Sequence, residues 1–105
     1  MNKLVGRYAR TVNGSMYLIE EGNIGYAIDF NYKVANDPRE LIEVGDLVKD
    51  KTKRGSVLEI NRIDINSLGA RLLYSFGTPI LFGNITEIWT KTSENTFTRQ
   101  WSDDE

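Results

Sequence analysis

The sequence contains no cysteine and no histidine, although it is 105 residues long. The absence of cysteine excludes disulfide bonds, a thiolate nucleophile and Cys-ligated zinc. Because imidazole is the usual general base near neutral pH and the commonest transition-metal ligand, the absence of histidine excludes His-based catalytic triads and N/S-type metal sites. The remaining chemistry is that of carboxylates, lysine, tyrosine and hydroxyl groups. We therefore predict a protein that is not an enzyme and needs no cofactor.

Long apolar runs are also missing. No run approaches the roughly 20 apolar residues of a membrane span, and the N-terminal segment MNKLVGRY has no apolar signal-peptide region. The composition, 40% hydrophobic and 27% charged, is ordinary for a soluble globular protein. The sequence thus predicts a cytoplasmic protein without membrane association, built as a single β domain over residues 1–102 with an acidic tail at 103–105.

The chain also lacks a large excess of positive or negative charge. The net charge is −2, and three of the 15 acidic residues are the last three residues, which leaves 12 acidic against 13 basic residues in the body of the chain. General nucleic-acid binders usually carry a strongly basic face. Nucleic acid is therefore a possible partner but a less favoured one.

What the chain does contain is a succession of short β-prone runs separated by glycine and asparagine. Val5 to Val12 and Met16 to Glu20 flank Asn13-Gly14, and Asn-Gly between two such runs predicts a hairpin with a type I′ turn. Tyr26, Ile28 and Phe30 share one parity, so Ile24 to Phe30 is predicted as a third strand. The first thirty residues are thus expected to form a three-stranded meander.

The middle of the chain combines one helical turn with a long strand. The turn is predicted near residues 37–41, with Asp37 as N-cap, Pro38 at N1 and Glu40 at N3, and we expect it to plug one end of a barrel. Asp46 to Asp50 predicts a short strand. Ser56 to Ile65 predicts a long strand whose apolar parity changes at Asn61-Arg62, as one extra residue in a β-bulge would produce.

The last third predicts more strands. Ala70 to Phe76 is expected to point Leu72, Tyr74 and Phe76 inward, and Ile80 to Phe82 to form a short strand. Ile85 to Thr92 and Thr96 to Trp101 predict a hairpin over Ser93-Glu94-Asn95. Eight or nine short strands predict an all-β fold, a small SH3-like or partly open β-barrel or a sandwich.

Two segments carry a resemblance to a known class of proteins. The run ELIEVGDLVK, which begins at Glu40, resembles a segment of small uncharacterised phage and prophage proteins of Gram-positive bacteria. Those proteins also open with a strand similar to the one from Arg7 to Gly14 and close near a segment similar to ITEIWTK, which ends at Lys91. The resemblance brings no catalytic residues. It implies a small mobile-element protein of the accessory kind that acts on its host.

The first candidate binding surface is the basic loop from Lys49 to Arg54. Lys51, Lys53 and Arg54 could hold a phosphate or an acidic protein face. The ordinary alternative, a solvated turn between two strands, favours the same residue types.

The last hairpin supplies the second candidate surface. In the first arm Trp89 and Lys91 share a face with Glu87, and in the second arm Phe97, Arg99 and Trp101 share a parity. Two tryptophans interleaved with cations could stack a nucleotide base or anchor a protein partner. The alternative is that Trp89 and Trp101 pack across the hairpin and cover the barrel.

Arg71 and Tyr74 are the remaining candidates, and because their parities differ the two side chains need not meet. Arg71 with Arg62 on the neighbouring strand could form an anion site, or both could be exposed cations balanced by Glu59 and Asp64.

The function predicted from all these observations is that of a non-enzymatic, phage-type accessory protein that inhibits host antiviral defence by binding. It would either sequester a nucleotide immune signal or occlude a host defence protein. The alternative is a nucleic-acid-binding or regulatory β-barrel module that uses the basic loop and the aromatic hairpin. Because small barrels often pair their exposed edge strands, we also expect a homo-oligomer.

Overall fold

The computed structural model describes residues 3–53, 56–93 and 95–103. Within these residues the chain forms ten strands, one short α-helix and two 3₁₀ turns. In chain order they are β1 (Tyr8–Arg10), β2 (Met16–Leu18), α1 (Ile24–Asp29), β3 (Lys33–Ala35), a 3₁₀ turn (Pro38–Leu41), β4 (Leu47–Asp50), β5 (Val57–Glu59), β6 (Arg62–Ile65), β7 (Arg71–Ser75), β8 (Thr78–Ile80), a second 3₁₀ turn (Phe82–Asn84), β9 (Ile85–Ser93) and β10 (Thr96–Ser102).

The strands pair into three antiparallel sheets. The N-terminal sheet has the order β2-β1-β3, the central sheet β10-β9-β4-β5 and the third sheet β6-β7-β8. The mostly-β prediction is confirmed, but the strands that the structure describes do not close into a barrel.

The main core lies where the inner faces of these sheets meet. Val48 and Ile88, which are paired across β4 and β9, are fully buried there, together with Ile60, Leu73 and Ile85. A second, smaller cluster of Ala9, Ile19 and Ala27 packs α1 against the N-terminal sheet. β4 shows the alternation expected of a strand with one face towards the core, because Val48 is buried while its neighbours Leu47 and Lys49 are only half-buried.

The hairpin at Asn13-Gly14 lies where it was predicted, but its turn type differs. Gly14 has φ +94°, whereas Asn13 is not among the residues with positive φ. The loop is closed by hydrogen bonds from Thr11 N–H to the Ser15 carbonyl and from Gly14 N–H to the Thr11 carbonyl. The turn is therefore not type I′, which needs positive φ at both central residues.

The predicted third strand, Ile24 to Phe30, is wrong, because this segment is helix α1. Asn31 ends the helix with φ +53°, and the N–H groups of Asn31 and Tyr32 bond to the carbonyls of Ile28 and Ala27. This is a Schellman motif with asparagine at the left-handed position. The residues whose period of two favoured a strand, Tyr26, Ile28 and Phe30, are the exposed ones. The strand that pairs with β1 opposite β2 is β3, so the first thirty residues do not form a meander.

The predicted helical turn near residues 37–41 is confirmed as the 3₁₀ turn Pro38–Leu41. The Asp37 side chain accepts a hydrogen bond from the Arg39 backbone N–H, and Pro38 occupies the first turn. Leu41 at its end is buried in the main core, so the turn connects the N-terminal sheet to the core instead of plugging a barrel.

The predicted long strand Ser56 to Ile65 is two strands in two different sheets. The chain leaves the central sheet at Ile60, whose N–H bonds to the Asp46 carbonyl, and enters the third sheet at Asn61, whose N–H bonds to the Tyr74 carbonyl. The parity change at this point therefore marks a change of sheet and not a bulge within one strand.

The orientation predicted for β7 is also wrong. Leu73 and Ser75 are buried, whereas Leu72 and Phe76 are exposed. Because both parities of this strand carry apolar residues, alternation alone could not choose the inner face. The predicted strand Ile80 to Phe82 is displaced as well, since β8 ends at Ile80 and a 3₁₀ turn follows.

The final hairpin is confirmed as β9 and β10. It contains register shifts between Thr96 and Phe97 and between Arg99 and Trp101. Glu94 of its turn, Arg54 of the basic loop, and residues 104 and 105 of the predicted acidic tail lie outside the described residues.

Candidate functional site

A cleft of about 940 Å³ opens between the N-terminal sheet and the third sheet. Lys33 to Asn36 form one wall together with the Glu40-Leu41 end of the 3₁₀ turn, and Gly69 to Tyr74 and Pro79 to Phe82 form the other. Apolar groups dominate these walls, and Leu72 and Leu81 in particular remain exposed. The volume is within the range of small-molecule sites, about 300–1,000 Å³.

The charged groups of the cleft are mostly cationic. Arg7, Lys33 and Arg71 line it, against the single carboxylate of Glu40. Arg7 is half-buried, while the Lys33 ammonium is well exposed and lies 3.8 Å from Glu43. A group of positive charges at the edge of an apolar cavity can neutralise an anionic ligand and bury its apolar part.

Arg71 has a structural task inside the cleft. Its guanidinium donates hydrogen bonds to the backbone carbonyls of Glu40 and Ile42, at the end of the 3₁₀ turn. Burial is the main cause that lowers the pKa of Arg71, although the charge of Glu43 acts in the opposite direction. Arg71 therefore fixes the wall of the cleft, and only part of its donor set faces a ligand.

A buried ion pair supports the same turn from its other side. Arg10 donates to the Leu41 carbonyl and to both oxygens of the Asp46 carboxylate, and Asp46 also accepts from the Glu43 backbone N–H at 2.8 Å. Burial by itself lowers the pKa of Arg10, but the hydrogen bonds and charge of Asp46, with the charge of Glu43, raise it overall. The two arginines, Arg10 and Arg71, thus satisfy three consecutive carbonyls that a short turn leaves without helical partners.

The predicted anion site of Arg71 and Arg62 is not formed. Arg62 pairs across the sheet with Tyr74 and lies over its ring, 4.3 Å from the centroid, and its guanidinium lies 3.0 Å from the Asp64 carboxylate. Arg71 is three residues from Tyr74 along β7 and therefore points to the opposite face of the sheet. Both Arg71 and Tyr74 nevertheless line the cleft.

The second candidate surface is the outer face of the central sheet. Trp89 is the cross-strand partner of Arg99 on β10 and of Leu47 on β4, and Lys91 is the partner of Phe97. Directly opposed residues lie on the same face of a sheet. Trp89, Leu47 and Phe97 are half-buried, and Lys91 and Arg99 are exposed. Four of the predicted site residues are therefore together on one solvent-facing surface.

Trp101 does not belong to that surface. A register shift between Arg99 and Trp101 makes Arg99 the partner of Trp89, but Trp101 the partner of the buried Ile88. Trp101 therefore packs against the main core, and the Arg39 guanidinium lies over its ring, 5.3 Å from the centroid. The predicted pair of tryptophans is thus divided between the two faces of the central sheet.

The basic loop gives no preformed site in its described part. Lys51 and Lys53 are both exposed, and Arg54 lies outside the described residues. The buried Asp50 holds the beginning of the loop, because its carboxylate accepts hydrogen bonds from the backbone N–H and the hydroxyl of Thr52. These contacts are typical of a capped turn.

The cleft residues that sequence reasoning missed are Arg7, Lys33 and the segment Pro79 to Phe82. They come from distant parts of the chain and share no spacing that could have joined them to Arg71. Arg7 lies immediately before β1, and nothing in the sequence indicated that β3 would lie beside β1 and bring Lys33 into the same cleft.

No relative among known proteins indicates what this chain binds. Among the described residues, no three side chains gather into a group able to hold a metal ion, and no helix in that part of the chain is long and apolar enough to cross a membrane. No family model matches the chain, and neither the curated proteins nor the solved structures contain a significant match.

Proposed function

We propose that this chain is a non-enzymatic binding protein whose cleft takes a small anionic ligand with an apolar or aromatic part. The observation that carries the proposal is the combination of Arg7, Lys33 and Arg71 with apolar walls in one cavity of about 940 Å³. Small-ligand sites have this character, with a mainly apolar lining and a few polar groups that fix orientation. A nucleotide, with its phosphate and its base, has the matching chemistry.

The resemblance to phage proteins suggests the biological role. In that role the protein is an accessory factor in the cytoplasm of the bacterial host, where it inhibits antiviral defence by sequestering a nucleotide immune signal. The other predicted mode, occlusion of a host defence protein, would use an exposed face instead of the cleft. The two modes therefore differ in the residues on which they depend.

Thermal denaturation with a panel of cyclic and ADP-ribose-derived nucleotides tests the sequestering mode. A ligand present at about 100 times its Kd stabilises by about 2.7 kcal/mol, which raises the Tm of a domain of this size by roughly 10 °C or more. If no nucleotide in the panel raises the Tm, the sequestering mode is wrong.

Charge-removing variants then locate the site. Arg7→Gln and Lys33→Gln each remove one cation of the cleft without disturbing the carbonyls that Arg71 holds. A hydrogen bond to a charged group contributes about 1.5–3 kcal/mol, so each change should weaken binding at least tenfold in a calorimetric titration. Arg62→Gln, which removes an exposed cation of the third sheet that does not line the cleft, is the matched control and should leave the affinity unchanged. Equal affinity in all three variants would place the ligand elsewhere.

Homo-oligomer formation is part of the proposal. It is motivated by the edges of the sheets, which leave β5 and β10 each with one strand neighbour in the central sheet. A mass from light scattering that equals one chain at working concentration would exclude it.

A further inference from the structure

We propose that the outer face of the central sheet binds single-stranded nucleic acid. Here this face means Trp89, Phe97, Lys91, Arg99 and Lys49, which the register of β4, β9 and β10 places on one side. The surface is separate from the cleft, and none of its five residues lines the cavity. The inference therefore stands or fails independently of the proposed function.

The aromatic residues give the first argument. Trp89 lies opposite Arg99, and Phe97 lies two positions from Arg99 on the same strand, so the two rings are diagonal neighbours with a backbone separation of about 7–8 Å. The Trp89 Nε1–H donates to the Glu87 carboxylate at 2.9 Å, which fixes the indole within the sheet. A row of aromatic rings on an exposed sheet is the platform on which unpaired bases stack.

The charges give the second argument. Lys91 and Arg99 are exposed beside the two rings, and Lys49 follows on β4. The Glu87 carboxylate accepts from Trp89 and lies 3.8 Å from the Lys49 ammonium, so it offsets the charge of Lys49, and Lys91 and Arg99 supply most of the positive charge beside the rings. This leaves Glu59, the partner of Leu47, as the acidic group at the far strand.

The extent of the charged row gives the third argument. β9 runs for six residue steps from Lys91 back to Ile85, which is roughly 20 Å of strand. Ile85 is the partner of Asp50 on β4, and the loop with Lys51 begins there. The exposed Lys51 and Lys53 continue the positive charge beyond that end. A row of this length suits about four nucleotides, the lower end of the range for single-strand sites. The interleaving of cations and rings fits a charged backbone with unpaired bases better than a duplex, whose bases are stacked away.

Fluorescence anisotropy with a labelled oligothymidylate of about 12 nucleotides measures the interaction. Three or more phosphate contacts predict a slope of log K against log salt of about −2 or steeper, which is roughly a 20-fold loss of affinity between 50 and 200 mM salt. The Lys91→Gln/Arg99→Gln double variant removes two of the contacts and should bring the slope to about −0.7. Arg62→Gln removes an exposed cation on the third sheet that lines neither this face nor the cleft; it is the control and should leave both affinity and slope unchanged.

The role of Trp89 is tested separately from folding. In the Trp101→Phe variant Trp89 is the sole tryptophan, and its emission should be quenched when the oligonucleotide is added. Trp89→Leu should weaken binding roughly 5- to 150-fold, which corresponds to about 1–3 kcal/mol for one stacked base. A circular dichroism spectrum and a melting curve for each variant show whether it is folded.

Four results would overturn the proposal. They are no binding up to about 100 μM protein at low salt, the weak end of non-specific affinity; affinity unchanged in the double variant; duplex of the same length bound as tightly as the single strand; and polyglutamate bound as tightly as the oligonucleotide. The last result would assign the face to an acidic protein partner instead.

Discussion

The buried pair of Arg10 and Asp46 should control the stability of the wall that shapes the cleft. The Arg10 side chain is 10% exposed and that of Asp46 is 4% exposed. One Asp46 oxygen accepts from Arg10 at 3.0 Å, and the other accepts from both Arg10 and the Glu43 backbone N–H. In Arg10→Met the carboxylate stays buried but keeps a hydrogen bond from only the Glu43 amide among these donors. We therefore expect a loss of about 3–5 kcal/mol of unfolding free energy.

Urea denaturation of a double-mutant cycle measures this effect. A protein of this size has an unfolding free energy of about 5–15 kcal/mol, so the single variants should remain folded with a smaller but measurable unfolding free energy. With an m-value of about 2 kcal/mol/M, the midpoint of Arg10→Met should fall by roughly 1.5–2.5 M urea. Asp46→Asn should also destabilise, and the double variant should lose less than the sum of the two, with a coupling energy of about 1–3 kcal/mol.

The exposed pair of Arg62 and Asp64 provides the matched control. Their guanidinium and carboxylate are 3.0 Å apart, but the side chains are 61% and 46% exposed. Because solvent screens such a pair, its coupling energy should be about 0.2–1 kcal/mol. If the coupling of Arg10 with Asp46 is no larger than that of the exposed pair, burial does not strengthen the network and the reasoning is refuted.

Three further changes test the fold. Gly14→Ala should lower the unfolding free energy by about 1–2 kcal/mol, because Gly14 has φ +94° and an added Cβ would lie 3.4 Å from the Thr90 hydroxyl. Its control is Gly22→Ala, which has open space around the added Cβ and should change the unfolding free energy by less than about 0.5 kcal/mol. Ile88→Ala should cost about 2–5 kcal/mol in urea denaturation, because Ile88 is fully buried, and a smaller cost would contradict its place in the core. Although burial favours a higher pKa for Asp37, hydrogen bonds and charge from Arg39 lower it. The Asp37 carboxylate therefore stabilises the fold above about pH 4, and this stabilisation is lost as the pH falls through the lowered pKa. Asp37→Asn should flatten the dependence of unfolding free energy on pH in that range, and an unchanged profile would exclude the contact of Asp37 with Arg39.

Much of the local structure was predictable because it rests on local chemistry. The Asp37-Pro38 start of the 3₁₀ turn follows from capping, and the last hairpin follows from its β-prone arms. Helix α1 could also have been found, since Asn31 is a residue that tolerates the left-handed conformation of a helix end. The period-two spacing of Tyr26 and Phe30 concealed it, because those apolar residues are exposed in the folded chain.

The candidate sites were predictable only in part. The grouping of Trp89 with Lys91 follows from strand alternation alone, and the register of β9 and β10 places both side chains on one face. The place of Trp101 depended on the register shift after Arg99, and a shift of one residue sends a side chain to the other face. No local pattern in the sequence reveals such a shift.

The sequence by itself determined the kind of chemistry available and the predominance of short antiparallel strands. Tertiary structure alone decided which strands share a sheet, and with it that Lys33 on β3 and Arg71 on β7 line one cleft. The physical reason is the distance along the chain over which each kind of interaction acts. Turns, caps and alternation are set within a few residues, whereas the cleft depends on long-range packing that joins segments tens of residues apart.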